Sequence, residues 1–320
     1  MRLLKLVPDN TNIDFMRWRT VGLVLSLLIT IASIGLVATR GLNLGVDFVG
    51  GQMLRVSFSE PVEIDTLRDR IEALNHGDAT IQEFGGPQTI SIRLPLPEGG
   101  EAAANAAAEQ VKDVVSKEYP SARFDAVETV SGKVSGELFR SGALAIGLAM
   151  LGIAIYIWFR FEWQFGVGAL TTLFHDVVVT LGFFALTQLE FNLNVVAAIL
   201  TIVGYSLNDT VVIYDRIREN LRKYRKMETV PMLNVSLNET LSRTVVTSLS
   251  IMLALAMLLI FGPDVIFGLT IAIFIGIFVG TYSSIYISSP ILVALKVGPD
   301  SFIAKAAPVG EQAGSRNEGY

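Results

Sequence analysis

The sequence predicts a polytopic α-helical membrane protein with one small α+β domain outside the bilayer. Three observations carry this. The chain is 51% apolar with a mean hydropathy of +0.52, and only 17% of its residues are charged, against about 25% in an ordinary soluble domain. Its apolar residues come in six long blocks, each approaching the roughly 20 residues that a membrane-crossing helix needs. Between the first two blocks the pattern changes to the mixed, charged one of a water-soluble fold.

The six spans are predicted at 21–38, 141–159, 165–187, 193–214, 244–261 and 265–289. The first is longer than a signal-peptide core, and Arg40 follows it in place of a small-residue cleavage site, so it reads as a retained span. Orientation follows from Lys and Arg in the short connections. Arg2, Lys5, Arg17 and Arg19 precede span one, and Arg160 lies between spans two and three. Arg216, Arg218, Arg222, Lys223, Arg225, Lys226 and Arg243 lie between spans four and five. The connections at 188–194 and 262–264 hold no Lys or Arg. The N-terminal segment 1–20, the basic loop 215–243 and a disordered tail at 296–320 are therefore expected on the cytoplasmic side, and segment 39–140 on the other. The basic run reads as an amphipathic helix lying on anionic lipid headgroups; it is too small a patch to suggest nucleic acid.

Between Arg40 and Arg140 there are 16 acidic and 10 basic residues, a net of −6. "QMLRVSF" alternates, placing Leu54, Val56 and Phe58 on one side of a strand. "EPVEIDTLRDRIEAL" spaces Ile64, Leu67, Ile71 and Leu74 as one helix face. "TIQEF" and "TISIRL" are short strands on either side of a "GGPQ" turn. A helix follows from about 101 to 118, ended by Tyr119-Pro120, and "ARFDAVETV" closes the domain as a strand. The order β-α-β-β-α-β is the ferredoxin-like arrangement, a fold that hosts many functions. His76 sits in a turn between Asn75 and Gly77 and reads as a structural loop residue. The chain has no Cys, which excludes disulfides and thiol chemistry. No His/Cys/carboxylate cluster suggests a metal, no nucleophile constellation suggests an enzyme, and no cofactor is expected.

"GLNLGVDFVGGQ" joins span one to the domain, with Gly45, Gly50 and Gly51 around Asp47. It reads either as a flexible hinge or as a specific docking turn.

Charge inside the membrane is the strongest functional signal. A carboxylate at mid-bilayer costs about 2.5–3.5 kcal/mol on insertion scales, so an intramembrane acid calls for a role. Span three holds "TTLFHDVVVTLG", with His175 and Asp176. Span four holds "GYSLNDTVV", with Asn208 and Asp209. Tyr205 lies four residues before Asp209 on one helix face, and Gly204 would let a neighbouring helix approach. Asp209 falls about 21 Å along the helix from Val195 at 1.5 Å per residue, in the cytoplasmic half. Arg243, entering span five in "LSRTVVTS", lies at a similar level and is the expected partner of Asp209. Burial disfavours the carboxylate and a nearby guanidinium favours it, so parting and closing this pair would bind and release a proton. The alternative is a static ion pair between spans four and five. His175 and Asp176 rank second, since such groups also serve as interhelical glue. "GIFVG", from Gly276 to Gly280, fits a helix-packing face.

"GVDFVGG", "FHDVVVTLG", "GYSLNDTVVIYDRIREN" and "LSRTVVTS", in this order around one large outer domain, resemble the SecD/SecF family of bacterial protein-export subunits across residues 10–295. That family is similar to half of a resistance-nodulation-division transporter. The resemblance implies pairing with SecD, and action beside the SecYEG channel on the exported preprotein after the ATPase SecA has begun its export. It implies protons as the coupling ion, the inner membrane and a periplasmic outer domain. It places the proton-responsive acid at Asp209 and its Arg at Arg243. Two competing readings are a proton-driven exporter of small molecules or lipids and a structural scaffold.

Overall fold

The structure is a computed structural model and describes residues 8, 11–77, 79–84, 88–97 and 99–298. A 3-10 turn at Phe15–Trp18 leads into α1 (Arg19–Arg40), and the single turn α2 (Val46–Val49) follows. The outer domain runs β1 (Gly51–Ser57), α3 (Ile64–Glu72), β2 (Thr80–Glu83), β3 (Thr89–Leu94), α4 (Gly100–Glu118) and β4 (Arg123–Val130). The chain returns through α5 (Gly132–Arg160), α6 (Trp163–Thr187), α7 (Leu193–Lys223), α8 (Thr229–Phe261), α9 (Phe267–Tyr286) and α10 (Ser288–Ala294). Among the described residues six helical segments are long and apolar enough to cross a membrane, the last formed by α9 and α10 together.

The sheet order is β2-β3-β1-β4, with every neighbouring pair antiparallel. Leu54 lies opposite both Ile92 and Val127. One face of the sheet buries Leu54, Val56, Ile90 and Ile92 against Leu67 and Ile71 of α3 and Val111 and Val115 of α4. The expected alternation of β1 is hidden because its other face is buried as well. There Arg93 donates to the Leu44 carbonyl and Gln82 accepts from Asn43. The sheet therefore rests on the turn that leaves α1.

In the membrane part α6 and α7 are the most enclosed helices. Helices α1, α5 and α8 turn large apolar side chains outward, among them Leu27, Leu148, Phe159, Leu253 and Phe261, as suits a hydrocarbon solvent. The expected packing face on α9 is used. A side chain at Gly276 would enter Ile202 of α7, and one at Gly280 would meet Ser206 Cβ at 3.3 Å. Gly204 is different. It is exposed, and nothing lies within 4 Å of a side chain placed there, so no helix of this chain uses it.

Two expectations about connections are corrected. The segment 215–243 is not a loop. Helix α7 continues to Lys223 and α8 starts at Thr229, because ion pairs support the polar ends: Arg216 with Glu239 at 2.7 Å, Arg218 with Glu162 at 3.2 Å and Arg160 with Asp215 at 2.9 Å. Span six is not one straight helix. It breaks at Ile287, three residues before Pro290, whose ring clashes with the carbonyl four residues back and which has no N–H to donate. Residues 1–7 and most of the tail expected at 296–320 lie outside the described residues. His76 is a loop residue whose Nε2 is 2.7 Å from Gln110 Oε1.

Candidate functional site

Both intramembrane acids are buried in the centre of the helix bundle. Asp176 of α6 is 1% exposed and Asp209 of α7 is 6% exposed. Each is held by hydroxyl groups from neighbouring helices. Asp176 Oδ2 accepts from Ser206 Oγ of α7 at 2.6 Å and from Ser283 Oγ of α9 at 2.9 Å. Its Oδ1 is 2.9 Å from His175 Nδ1. Asp209 Oδ1 accepts from Thr244 Oγ1 of α8 at 2.8 Å, and Oδ2 from Ser284 Oγ of α9 at 3.0 Å. The two sites thus share consecutive residues of α9, Ser283 and Ser284. They also share α7, where Ser206 and Asp209 are three residues apart on one face. Gly280 lets α9 come this close, with Asp176 Oδ2 3.5 Å from where its side chain would begin.

The sequence reading missed the hydroxyls Thr244, Ser283 and Ser284. The signal was present in "TYSSIYISSP", a run of hydroxyl residues inside an otherwise apolar block. Hydroxyls suit an acid that changes its charge. Each can donate to a carboxylate, or rotate and accept from a carboxylic acid.

Asp209 and Arg243 stand in the parted one of the two arrangements expected for them, near enough to interact electrostatically. No ion pair of 4.0 Å or less joins Asp209 to Arg243. The α8 bond of Asp209 goes to Thr244, the next residue along that helix. On a helix successive residues point about 100° apart, so Thr244 is buried against the acid while Arg243 is exposed. The Tyr205 hydroxyl makes no hydrogen bond to Asp209. It is 3.1 Å from Ser248 Oγ, which is 2.8 Å from Thr281 Oγ1. Asn208 is exposed and lies outside the hydroxyl cluster. His175 is 5% exposed, and its Nε2 has no hydrogen-bond partner. Among the described residues no three His, Cys, Asp or Glu side chains converge as a metal site.

The segment around Asp47 is a docking turn. Gly45 N donates to the Phe191 carbonyl at 2.9 Å, and Phe191 N donates to the Asn43 carbonyl at 2.8 Å. Asp47 Oδ2 accepts from Leu193 N at 2.9 Å, while Asn192 Oδ1 accepts from Asn194 N at 3.1 Å and Val195 N at 3.3 Å. These are first-turn N–H groups of α7, which have no partner within the helix. The carboxylate also faces the positive end of the helix dipole. Asp47 therefore ties the root of the outer domain to the helix that carries Asp209. Gly50 and Gly51 turn the chain into β1 with φ of +77° and +121°, values that favour glycine. A side chain at Gly51 would also lie 2.6 Å from the Leu94 carbonyl oxygen.

Known proteins share this arrangement. The family model "Protein export membrane protein SecD/SecF, C-terminal" matches residues 110–298, and the "SecD/SecF GG Motif" matches residues 35–62, the docking turn and its flanks. The chain is 44% identical over 300 residues to protein translocase subunit SecF of Cereibacter sphaeroides, covering 92% of this chain and 93% of that one. It is 40% identical over 298 residues to the SecF subunit of Pseudomonas aeruginosa, covering 92% and 95%. The crystal structure of SecDF, a translocon-associated membrane protein from Thermus thermophilus, superposes with a TM-score of 0.83 at 35% identity, over 90% of this chain and 39% of that longer one. A SecDF structure in a super-membrane-facing form superposes with a TM-score of 0.68 at 35% identity, over 92% of this chain and 40% of that one. With its docking turn, six spans and intervening outer domain all matched along nearly its whole length, the chain belongs to the SecD/SecF family of protein export membrane proteins.

Proposed function

We propose that the chain is the SecF-type half of a complex with SecD, and that it uses a transmembrane proton gradient to promote late-stage protein export through the Sec channel. The observation that carries this is the pair of buried acids, Asp176 and Asp209, each held by hydroxyls from neighbouring helices, with α7 tied directly to the outer domain by Asp47. A buried acid with hydroxyl partners can exist in either protonation state. Protonation removes the cost of a buried charge and changes which helix positions are favoured. In this structure Asp209 and Arg243 are parted. Closing them would favour the carboxylate and so proton release. A proton crossing 100 mV releases about 2.3 kcal/mol, enough to shift a two-state equilibrium about 50-fold.

The link outward is mechanical. Helix α7 carries Asp209, its first turn is capped by Asp47, and Asp47 lies four residues before β1. A shift of α7 is therefore passed to the root of the outer domain. We read that domain as ferredoxin-like, from its strand order and its two crossover helices. We place it in the periplasm, with both termini cytoplasmic in a bacterial inner membrane. SecYEG, the exported preprotein and, indirectly, SecA are the further partners of this reading. It needs no cofactor besides protons and makes the chain a transducer, not an enzyme.

The test is export into vesicles that contain the chain, SecD and the channel. Asp209→Asn is expected to leave assembly and ATP-driven initiation intact and to remove the gradient-stimulated part of export. Unchanged gradient stimulation would make Asp209 a packing residue.

A further inference from the structure

A third buried acid lies where the outer domain meets the membrane helices. Glu190, in the connection between α6 and α7, is 8% exposed, and no hydrogen bond of good geometry reaches its carboxyl oxygens, the Asn192 side chain being the polar neighbour that interacts with them. It borders a cavity of about 350 Å³ between the two halves. Gln82, Glu83 and Phe84 of the outer domain line one side, and Asn192 and Phe267 the other. Gly45 packs against it so closely that a side chain there would lie 2.6 Å from Glu190 Oε1. Arg55 of β1 is also buried, 5% exposed, and is only partly paired. Its Nη2 is 3.3 Å from Glu128 and its guanidinium stacks 4.6 Å from the Phe84 ring, while Nε and Nη1 have no partner. No ion pair of 4.0 Å or less joins Arg55 to Glu190. An ionised carboxylate this buried and this poorly bonded is costly, and the neutral acid is the cheaper occupant.

We propose that Glu190 is a proton-binding site at the outer end of the bundle, and that its neutral form seats the outer domain on the membrane helices. It shares no residue with the Asp209 cluster and does not depend on the role given to that acid. The charged groups around it are accounted for. Burial, the largest influence, pushes the Glu190 carboxyl up from the usual carboxylate range, and Glu128 and Asp47 add to that; Arg55 and Asn192 pull it down. Glu83 lines the same cavity, and Arg93 is committed to the Leu44 carbonyl.

The sign follows from linkage. The seated state holds the proton more tightly than an unseated, hydrated Glu190, so protonation favours seating. The seat is at full strength below the ordinary glutamate range and weakens as pH rises through the raised value. Once ionised, Glu190 must gain water or Arg55, and either requires β1 and the α6–α7 connection to shift apart or past one another. A proton-rich outer compartment would then hold the domain down, and proton loss would release it.

The chain has no Cys, so two introduced cysteines would be its only labels. Ser116 on α4 and Thr39 at the end of α1 are exposed. Nitroxides at Ser116→Cys and Thr39→Cys, in the full chain in lipid nanodiscs, report the domain-to-membrane distance by pulsed electron resonance. The seated distance is expected to dominate at acid pH and to give way to a second population as pH rises. Glu190→Gln, a neutral isostere, should hold the seated distance throughout. Arg55→Gln should move the midpoint to higher pH, because it removes the cation that favours ionisation. A distance that does not change with pH in the parent, or an equal response in Glu190→Gln, would overturn the proposal.

Discussion

Asp176 and Asp209 show how a membrane interior holds an acid with hydroxyl groups and no Lys or Arg within 4.0 Å. Four serine and threonine hydroxyls on α7, α8 and α9 meet their oxygens, and His175 meets the remaining oxygen of Asp176. What this bonding contributes can be read by substitution. Asp176→Leu leaves buried Ser206 without its acceptor, while Ser283 keeps the Gly280 carbonyl, at about 1–3 kcal/mol for the group left unpaired. It is expected to lower the unfolding temperature in detergent clearly. Asn208→Leu, next to Asp209 in sequence but exposed and outside the cluster, should leave that temperature unchanged within about 0.5 kcal/mol. Equal losses in the two variants would show that the hydroxyl cluster contributes nothing particular to the fold.

Helix packing decides where those residues meet. Helix α9 reaches α7 only because positions 276 and 280 carry no side chain. Gly276→Leu would force atoms into Ile202 of α7, an overpacking typically worth about 1–3 kcal/mol. It should also drag Ser283 and Ser284 away from both acids. Thermal unfolding and the carboxyl infrared bands should therefore change together. Gly204→Leu should leave the isolated chain as stable as the parent, since nothing of this chain lies near position 204. In the outer domain, Leu54→Ala removes a fully buried side chain from the sheet core, and is expected to cost about 2–5 kcal/mol. That loss should appear in the melting of the outer domain while the membrane helices keep their helicity.

For the molecule as a whole, the docking turn is the joint between two solvents. One side is a sheet packed for water, the other a bundle packed for hydrocarbon, and Asp47 bonds across the boundary to the start of α7. Asp47→Ala removes a cap, worth about 1 kcal/mol. It should speed hydrogen exchange at Leu193 and its neighbours in the first turn of α7, and loosen the outer domain. Unaltered exchange at Leu193 would mean that the joint is held by the Gly45–Phe191–Asn43 backbone bonds alone. Membership of the SecD/SecF family rests on this same combination of turn, domain and spans, and on no single motif.

The number of spans, the position and element order of the outer domain, and the two intramembrane acids were legible in the sequence alone. These follow from local rules. Apolar run length sets a crossing helix, residue alternation sets a strand, and a charge in an apolar block stands out wherever it sits. What only the tertiary structure decided is partnership. It put Thr244 and Ser284 against Asp209 with Arg243 parted from it, carried α7 and α8 through the segment read as a basic loop, and turned a possible hinge at Asp47 into a capped joint. It also buried Glu190, which in the sequence is an ordinary acid in a short connection. Partnership depends on the rotation and approach of helices distant in sequence. A one-residue change of face moves a side chain by about 100°, which is enough to exchange one partner for another.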